Sequence, residues 1–145
     1  MRSLEEIKFY EIDLEKVVET LKKYFEKRSD VAVAVLFGSA LRRRKVRDID
    51  IAVHADWSLE ELLEATAELE KELGTPVDIV PLPNAPPQVR LKALAEGLPI
   101  TVKNHALYTE LLKEAIGETR DMEAKLREER RAKDRRQRRG ETAKT

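Results

Sequence analysis

The sequence predicts an α/β domain with a small mixed β-sheet flanked by helices, followed by a C-terminal helical extension. Three observations support this prediction. Short β-branched runs alternate with stretches whose apolar residues recur every three to four positions. The length of 145 residues suits one hydrophobic core, and there is no cysteine to form disulfides. The last helical pattern continues into a segment that is nearly devoid of apolar residues.

The first half of the chain predicts one helix and two strands. Residues 1–12 fit neither the helical nor the strand period. Asp13 can cap a helix that ends at about Arg28, because an apolar stripe follows it at helical spacing. The β-branched run 31–37 predicts a buried strand, and 48–55 predicts a second one. A short connecting turn favours antiparallel pairing of the two strands.

The middle of the chain contains clear start and stop signals. Ser58 and Glu61 form the capping-box pattern, and Gly74 follows the last apolar position of the helix that they begin. Pro76 then separates this helix from a third predicted strand at residues 77–82.

The last third predicts a helix, a short edge strand and a final helix. Pro87 is well placed near a helix start, and Gly97 ends that helix. Residues 98–103 fit an edge strand, and a helical pattern begins at about Ala106. The order of helices and strands is typical of a mixed sheet with helices packed on it.

Charge divides the chain into two predicted parts. Residues 1–117 are expected to form the folded domain, and residues 118–145 a charged tail that is either helical or disordered. The tail carries 11 basic and 7 acidic side chains, a net charge of +4, and the preceding residues therefore carry −4. The tail has no aromatic residue to stack on bases, so at most weak, salt-sensitive attraction to nucleic acid is expected.

The most informative feature is a Gly38-Ser39 turn between the two central strands, followed by Asp48 and Asp50. Side chains two apart on a strand share one face and lie about 6–7 Å apart along the chain. Carboxylates at that spacing can bind a divalent metal ion. A glycine allows close approach of the backbone to a ligand, and backbone N–H groups after it can hold phosphate oxygens.

These residues resemble the minimal nucleotidyltransferases of the DNA polymerase beta superfamily, over roughly residues 31–100. In that family a Gly-Ser turn precedes Asp-x-Asp on the next strand, and a third carboxylate lies on a later strand. Asp78 is in the position of that third carboxylate, and Arg42 matches an arginine of the motif. The turn from Ala40 to Arg47 is shorter than is usual in the family.

The resemblance implies the polymerase beta-like nucleotidyltransferase fold and a set of roles. Asp48, Asp50 and Asp78 would be the catalytic and metal-binding residues, with two Mg²⁺ ions. Four residues would bind the phosphates of ATP, the expected substrate: Gly38, Ser39, Arg42 and Arg43. The reaction would be attack on the α-phosphorus with loss of pyrophosphate, usually transferring AMP.

The resemblance also implies a partner. Small members of this group commonly act as antitoxins that adenylylate a HEPN-type toxin on a tyrosine. The shortened turn leaves open a catalytically degenerate antitoxin that neutralises its partner by binding alone. Transfer to RNA or to a small hydroxyl compound is a third, weaker alternative. A homodimer is possible, and no membrane association is expected, because no apolar run is long enough to span a bilayer. Cytoplasmic localisation is the simplest expectation.

Overall fold

The computed structural model describes residues 7–143, with side chains described through Gly140. The elements in chain order are β1 (Tyr10–Glu11), α1 (Leu14–Glu26), β2 (Val31–Phe37), β3 (Lys45–Val46), β4 (Ile49–Ala55), α2 (Leu59–Leu73), β5 (Val77–Pro81), α3 (Pro87–Glu96), β6 (Leu98–Val102) and α4 (His105–Ala143). Short 3₁₀ helices, Gly38–Leu41 and Leu82–Asn84, follow β2 and β5. The predicted α/β class is confirmed.

The main sheet has four strands in the order β5-β4-β2-β6. Strand β2 is antiparallel to both β4 and β6, whereas β4 and β5 are parallel, so the sheet is mixed as predicted. The antiparallel β2–β4 pair and the edge position of β6 also agree with the predictions. Within the β4–β5 register, Asp50 lies beside Asp78.

Two apolar layers cover the sheet. On one face, α1 and α2 contribute Leu21, Phe25 and Leu69 to a core that includes Ile49 and Ile51 of β4. On the other face, α3 and α4 contribute a second core with Ala52 of the same strand, through Ala93, Leu94 and Ala115. Because alternate side chains of a strand face opposite sides, burial of the two isoleucines places Asp50 on the face covered by α3.

The predicted helix ends agree with the structure. The Asp13 carboxylate accepts a hydrogen bond from the Glu15 backbone N–H at 3.1 Å and caps α1. Ser58 and Glu61 form a reciprocal capping box at the start of α2, and Gly74 ends that helix in the left-handed conformation, with φ +66°. Pro87 is the first residue of α3.

A two-stranded ribbon beside the main sheet was not predicted. Strand β1 pairs with β3, through Tyr10 opposite Val46. Strand β3 lies in the turn from Ala40 to Arg47, called the basic turn below because five of its residues are lysine or arginine. The Ile12 backbone N–H also donates to the Arg44 carbonyl at 2.7 Å. The residues before α1 therefore hold the turn that connects β2 and β4.

Helix α4 crosses the predicted boundary at residue 117 without interruption. Its last buried residue is Thr119, and nearly all side chains from Arg120 to Gly140 are exposed. The tail is thus helical over the residues described. The division into a domain and a tail stays a prediction. Within residues 7–143, no helix is both long enough and apolar enough to cross a membrane.

Candidate active site

Three aspartates form the centre of the candidate site. Asp50 lies on β4, Asp78 lies beside it on β5, and Asp48 immediately precedes β4. One carboxylate oxygen from each lies within 4.8 Å of the other two. Asp48 and Asp50 are partly buried and Asp78 is exposed. The structure therefore brings together the three carboxylates that the sequence singled out.

Local folding explains this arrangement. Ile49 is fully buried, and its backbone N–H donates to the Pro76 carbonyl at 2.9 Å. This bond joins the first residue of β4 to the chain that enters β5, so the two strands begin side by side. Asp50 and Asp78, each one residue further along its strand, come to lie next to each other.

Burial and the close approach of the three carboxylates disfavour the charged form of Asp50. Burial, followed by the negative charges of Asp48 and Asp78, raises the pKa of Asp50 to about 6. The ammonium group of Lys92 acts in the opposite direction on the pKa of Asp50. Divalent cations favour sets of carboxylate oxygens, so these residues fit a Mg²⁺ site.

Gly38 lies directly against this cluster. Its φ of +83° is in the left-handed region, and a Cβ built on it would lie 2.4 Å from Oδ2 of Asp50. Only glycine allows the turn to approach the carboxylate so closely. The 3₁₀ helix that begins at Gly38 also carries Ser39, and its first backbone N–H groups have no acceptor within the helix.

A cavity of about 200 Å³ opens beside Gly38 and is also lined by Arg42 and Lys92. The two side chains bring positive charge from the basic turn and from α3 to the same opening, which Glu96 of α3 also lines. Lys92 was missed in the sequence analysis, because no motif marks it. Its position depends on Gly97, where an added Cβ would lie 2.3 Å from the Ala93 carbonyl oxygen and 2.4 Å from a Val35 methyl carbon.

Two backbone N–H groups of the basic turn are already used in hydrogen bonds within the turn. The backbone N–H groups of Arg42 and Arg43 both donate to the Ser39 carbonyl, at 3.0 and 2.9 Å. Their guanidinium groups are exposed. Arg42 lines both the cavity beside Gly38 and a neighbouring groove, and Arg43 lines that groove together with Asp13. A contact between Arg43 and phosphate stays a prediction.

Comparison with protein families matches residues 19–106 to the polymerase beta nucleotidyltransferase family. The matched segment is more than half of the chain and contains the three aspartates and Gly38. The chain therefore belongs to this nucleotidyltransferase family. No curated protein matches the sequence.

Solved structures with this fold include toxin–antitoxin complexes. The chain is similar to a chain of the toxin-antitoxin MntA-HepT, with 22% identity, a TM-score of 0.58 and coverage of 83% of this chain and 94% of that one. It is similar to a toxin-antitoxin with AMP-PNP, with 23% identity, a TM-score of 0.60 and the same coverage. It is also similar to a chain in the structure of a tri-AMPylated Shewanella oneidensis HEPN toxin in complex with MNT antitoxin. The identity is 22%, the TM-score is 0.58, and the match covers 79% of this chain and 93% of that one.

Proposed function

We propose that this protein is a Mg²⁺-dependent nucleotidyltransferase that transfers AMP from ATP to a protein hydroxyl, and that it acts as the antitoxin of a HEPN toxin. The observation that carries the proposal is the set of three carboxylates within 4.8 Å, directly against the left-handed Gly38. The family membership supports nucleotidyl transfer. The complexes with AMP-PNP and with an AMPylated HEPN toxin support ATP and a toxin as its substrates.

Asp48, Asp50 and Asp78 would hold two Mg²⁺ ions. The bound cations would supply positive charge that neutralises the charge developing on the phosphates. The backbone around Gly38 and the hydroxyl of Ser39 would hold the outer phosphates. Arg42 and Lys92, which line the same cavity, would pair with the same phosphates, and Arg43 would add charge from the adjacent groove.

In the reaction, an acceptor hydroxyl oxygen forms a bond to the α-phosphorus of ATP while the bond to the β-phosphate oxygen breaks. The hydroxyl proton passes to Asp78, which is the exposed carboxylate of the three. Pyrophosphate leaves as an anion, toward the positive charges of Arg42 and Lys92. The products are an AMP-modified acceptor and pyrophosphate, so charge and atoms balance.

The test is incubation with ATP labelled in the α-phosphate, Mg²⁺ and a candidate HEPN toxin. Label on the toxin, and a gain of one AMP in its mass, are expected. Asp48→Asn should abolish transfer, whereas Asp56→Asn, an exposed aspartate outside the cluster, should leave it intact. EDTA should stop transfer by the unaltered protein.

Inhibition of the toxin without transfer of label would instead identify the alternative, neutralisation by contact alone. Full activity of the Asp48→Asn variant would exclude the metal assignment. The two outcomes are distinguishable, because the first is read from inhibition of the toxin and the second from transfer of the label.

A further inference from the structure

Helix α2 exposes an apolar row that is flanked by an acidic row. Leu59 and Leu63, one helical turn apart, are 71% and 60% exposed. Glu60 and Glu64 follow them at the same spacing, and Glu68 and Glu72 continue the acidic row. Neither Glu60 nor Glu64 forms an ion pair with another described side chain. An exposed leucine pair beside a row of like charge is typical of an interaction surface.

The exposed part of α4 carries the complementary pattern. Met122 is partly buried, and Leu126, one turn later, is 44% exposed. Arg127, Arg131 and Arg135 follow them at the same four-residue spacing. The charged row on α4 begins with Glu123 and is positive from Arg127 onward, so from Arg127 the two helices carry rows of opposite charge beside their apolar residues.

Geometry selects the relative direction of the two helices. In each helix the charged row lies one residue after the apolar row and hence on the same side of it. When two such helices face each other in antiparallel orientation, their charged rows come to the same side of the contact. With Leu126 set against Leu63, Arg127 approaches Glu64 and Arg131 approaches Glu60. At the other end of the contact Glu123 approaches Glu68, so two attractive pairs stand against one repulsive pair. Parallel packing would place the charged rows on opposite sides.

The two surfaces lie toward the same end of the molecule. The Arg90–Glu118 ion pair and the bond from the Tyr108 hydroxyl to the Leu94 carbonyl show that α3 and α4 run antiparallel. Beyond Glu118, α4 therefore extends past the N-terminal end of α3. Pro83 and Asn84, just before that end, line a cavity together with Leu59. Leu59, Leu63 and Leu126 are all exposed, so the exposed part of α4 does not cover α2 of its own chain.

We propose that the exposed part of α4 of one chain docks antiparallel on α2 of a second copy, and that the reciprocal contact completes a two-fold homodimer. The occupant is a second copy because each chain carries both complementary surfaces. Nucleic acid is the less favoured occupant, since Met122 and Leu126 interrupt the positive surface and no aromatic residue follows Tyr108. This inference does not depend on the proposed transfer reaction.

A charge exchange tests the contact directly. Glu60→Arg/Glu64→Arg and Arg127→Glu/Arg131→Glu should each weaken dimerisation by more than about tenfold, because two attractive pairs per contact become repulsive. The quadruple variant should dimerise again, and so should a mixture of the two double variants. The measurement is analytical ultracentrifugation in about 0.05 M and about 0.5 M salt. Association of the unaltered protein should be weaker in the higher salt, because salt screens the charge pairs.

The matched control is Glu110→Arg/Glu114→Arg, which makes the same change of charge at exposed positions of α4 outside both surfaces. It should dimerise like the unaltered protein, and circular dichroism of every variant reports folding. A monomeric unaltered protein, double variants that dimerise normally, or a quadruple variant that stays monomeric would each overturn the proposal. Arginine-dependent binding of a labelled single-stranded RNA by a monomeric chain would overturn it in favour of nucleic acid.

Discussion

Gly38 is required for two reasons, its backbone conformation and its close contact with the candidate site. The residue has a left-handed φ of +83°, and its Cα lies against the carboxylate of Asp50. Gly74 has a comparable φ of +66° but nothing within 4 Å of an added Cβ. Substituting each glycine in turn therefore distinguishes two costs. At Gly74 only the left-handed backbone is strained, whereas at Gly38 the new side chain also crowds Asp50.

Gly38→Ala should abolish nucleotidyl transfer, because the new methyl group displaces Asp50 from the cluster. It should also lower the free energy of unfolding by more than the 1–2 kcal/mol or so expected for the left-handed conformation alone. Gly74→Ala is the matched control, with a similar backbone cost and unchanged transfer. Denaturant unfolding and the labelled-ATP assay measure the two effects. Equal transfer by both variants would contradict the role given to Gly38.

Asp50 should lower the stability of the metal-free protein at neutral pH. The pKa of Asp50 is about 6 in the folded protein, against an ordinary aspartate pKa of 3.8, so the folded state binds more protons between these two pH values. The free energy of unfolding therefore falls as pH rises through this interval and levels off above it.

Asp50→Asn removes this effect. In EDTA at pH 7.5 the variant should be more stable by about 1 kcal/mol, a figure reduced for the partial exposure of the carboxyl group. The difference should vanish below about pH 4, where the aspartate is protonated in both states. Thermal unfolding across this pH range measures it. A variant less stable at pH 7.5 than the unaltered protein would contradict the destabilisation assigned to Asp50.

At the scale of the elements, α3 places a positive charge near the cluster. Gly97 lets the C-terminal end of α3 press onto β2, and Lys92 on that helix faces the cavity beside Gly38. Lys92→Gln should raise the KM for ATP more than it lowers kcat, because the side chain is assigned to phosphate binding rather than to proton transfer. Lys113→Gln on α4, also exposed, should change neither constant. Steady-state kinetics decide between these outcomes.

The elements that the sequence predicts well are those with local signals. The capping box of Ser58 and Glu61 and the alternation of Ile49, Asp50 and Ile51 each determine structure within a few residues. The meeting of Asp78 with the other two aspartates was expected only from family resemblance. It depends on the parallel pairing of β4 and β5, which no local pattern encodes.

Other features depend on contacts between distant segments and were not predicted. The β1–β3 ribbon has two residues in each strand, too few to produce an alternation. The position of Lys92 follows from the docking of α3 at Gly97, not from any motif. For the tail, the composition allowed either a helix or disorder. In the helix that the structure shows, oppositely charged side chains two turns apart form an ion pair, with Arg135 and Glu128 3.6 Å apart.

At the scale of the whole molecule, metal binding and folding should be coupled. A cation that binds the folded cluster and not the unfolded chain stabilises the whole fold by mass action. Mg²⁺ should therefore raise the midpoint of thermal unfolding at pH 7.5 in proportion to the logarithm of its concentration. The rise should be absent in Asp48→Asn and present in Asp56→Asn. An equal response of both variants would place the bound ion elsewhere.

The position of β5 at the margin of the sheet has a consequence for the size of the acceptor. Asp78, the proposed proton acceptor, belongs to this outermost strand and is exposed. A tyrosine on the surface of another folded protein could reach it without any rearrangement of the sheet. The exposed edge at β5 thus suits modification of an intact protein. An enclosed pocket would instead admit only small molecules.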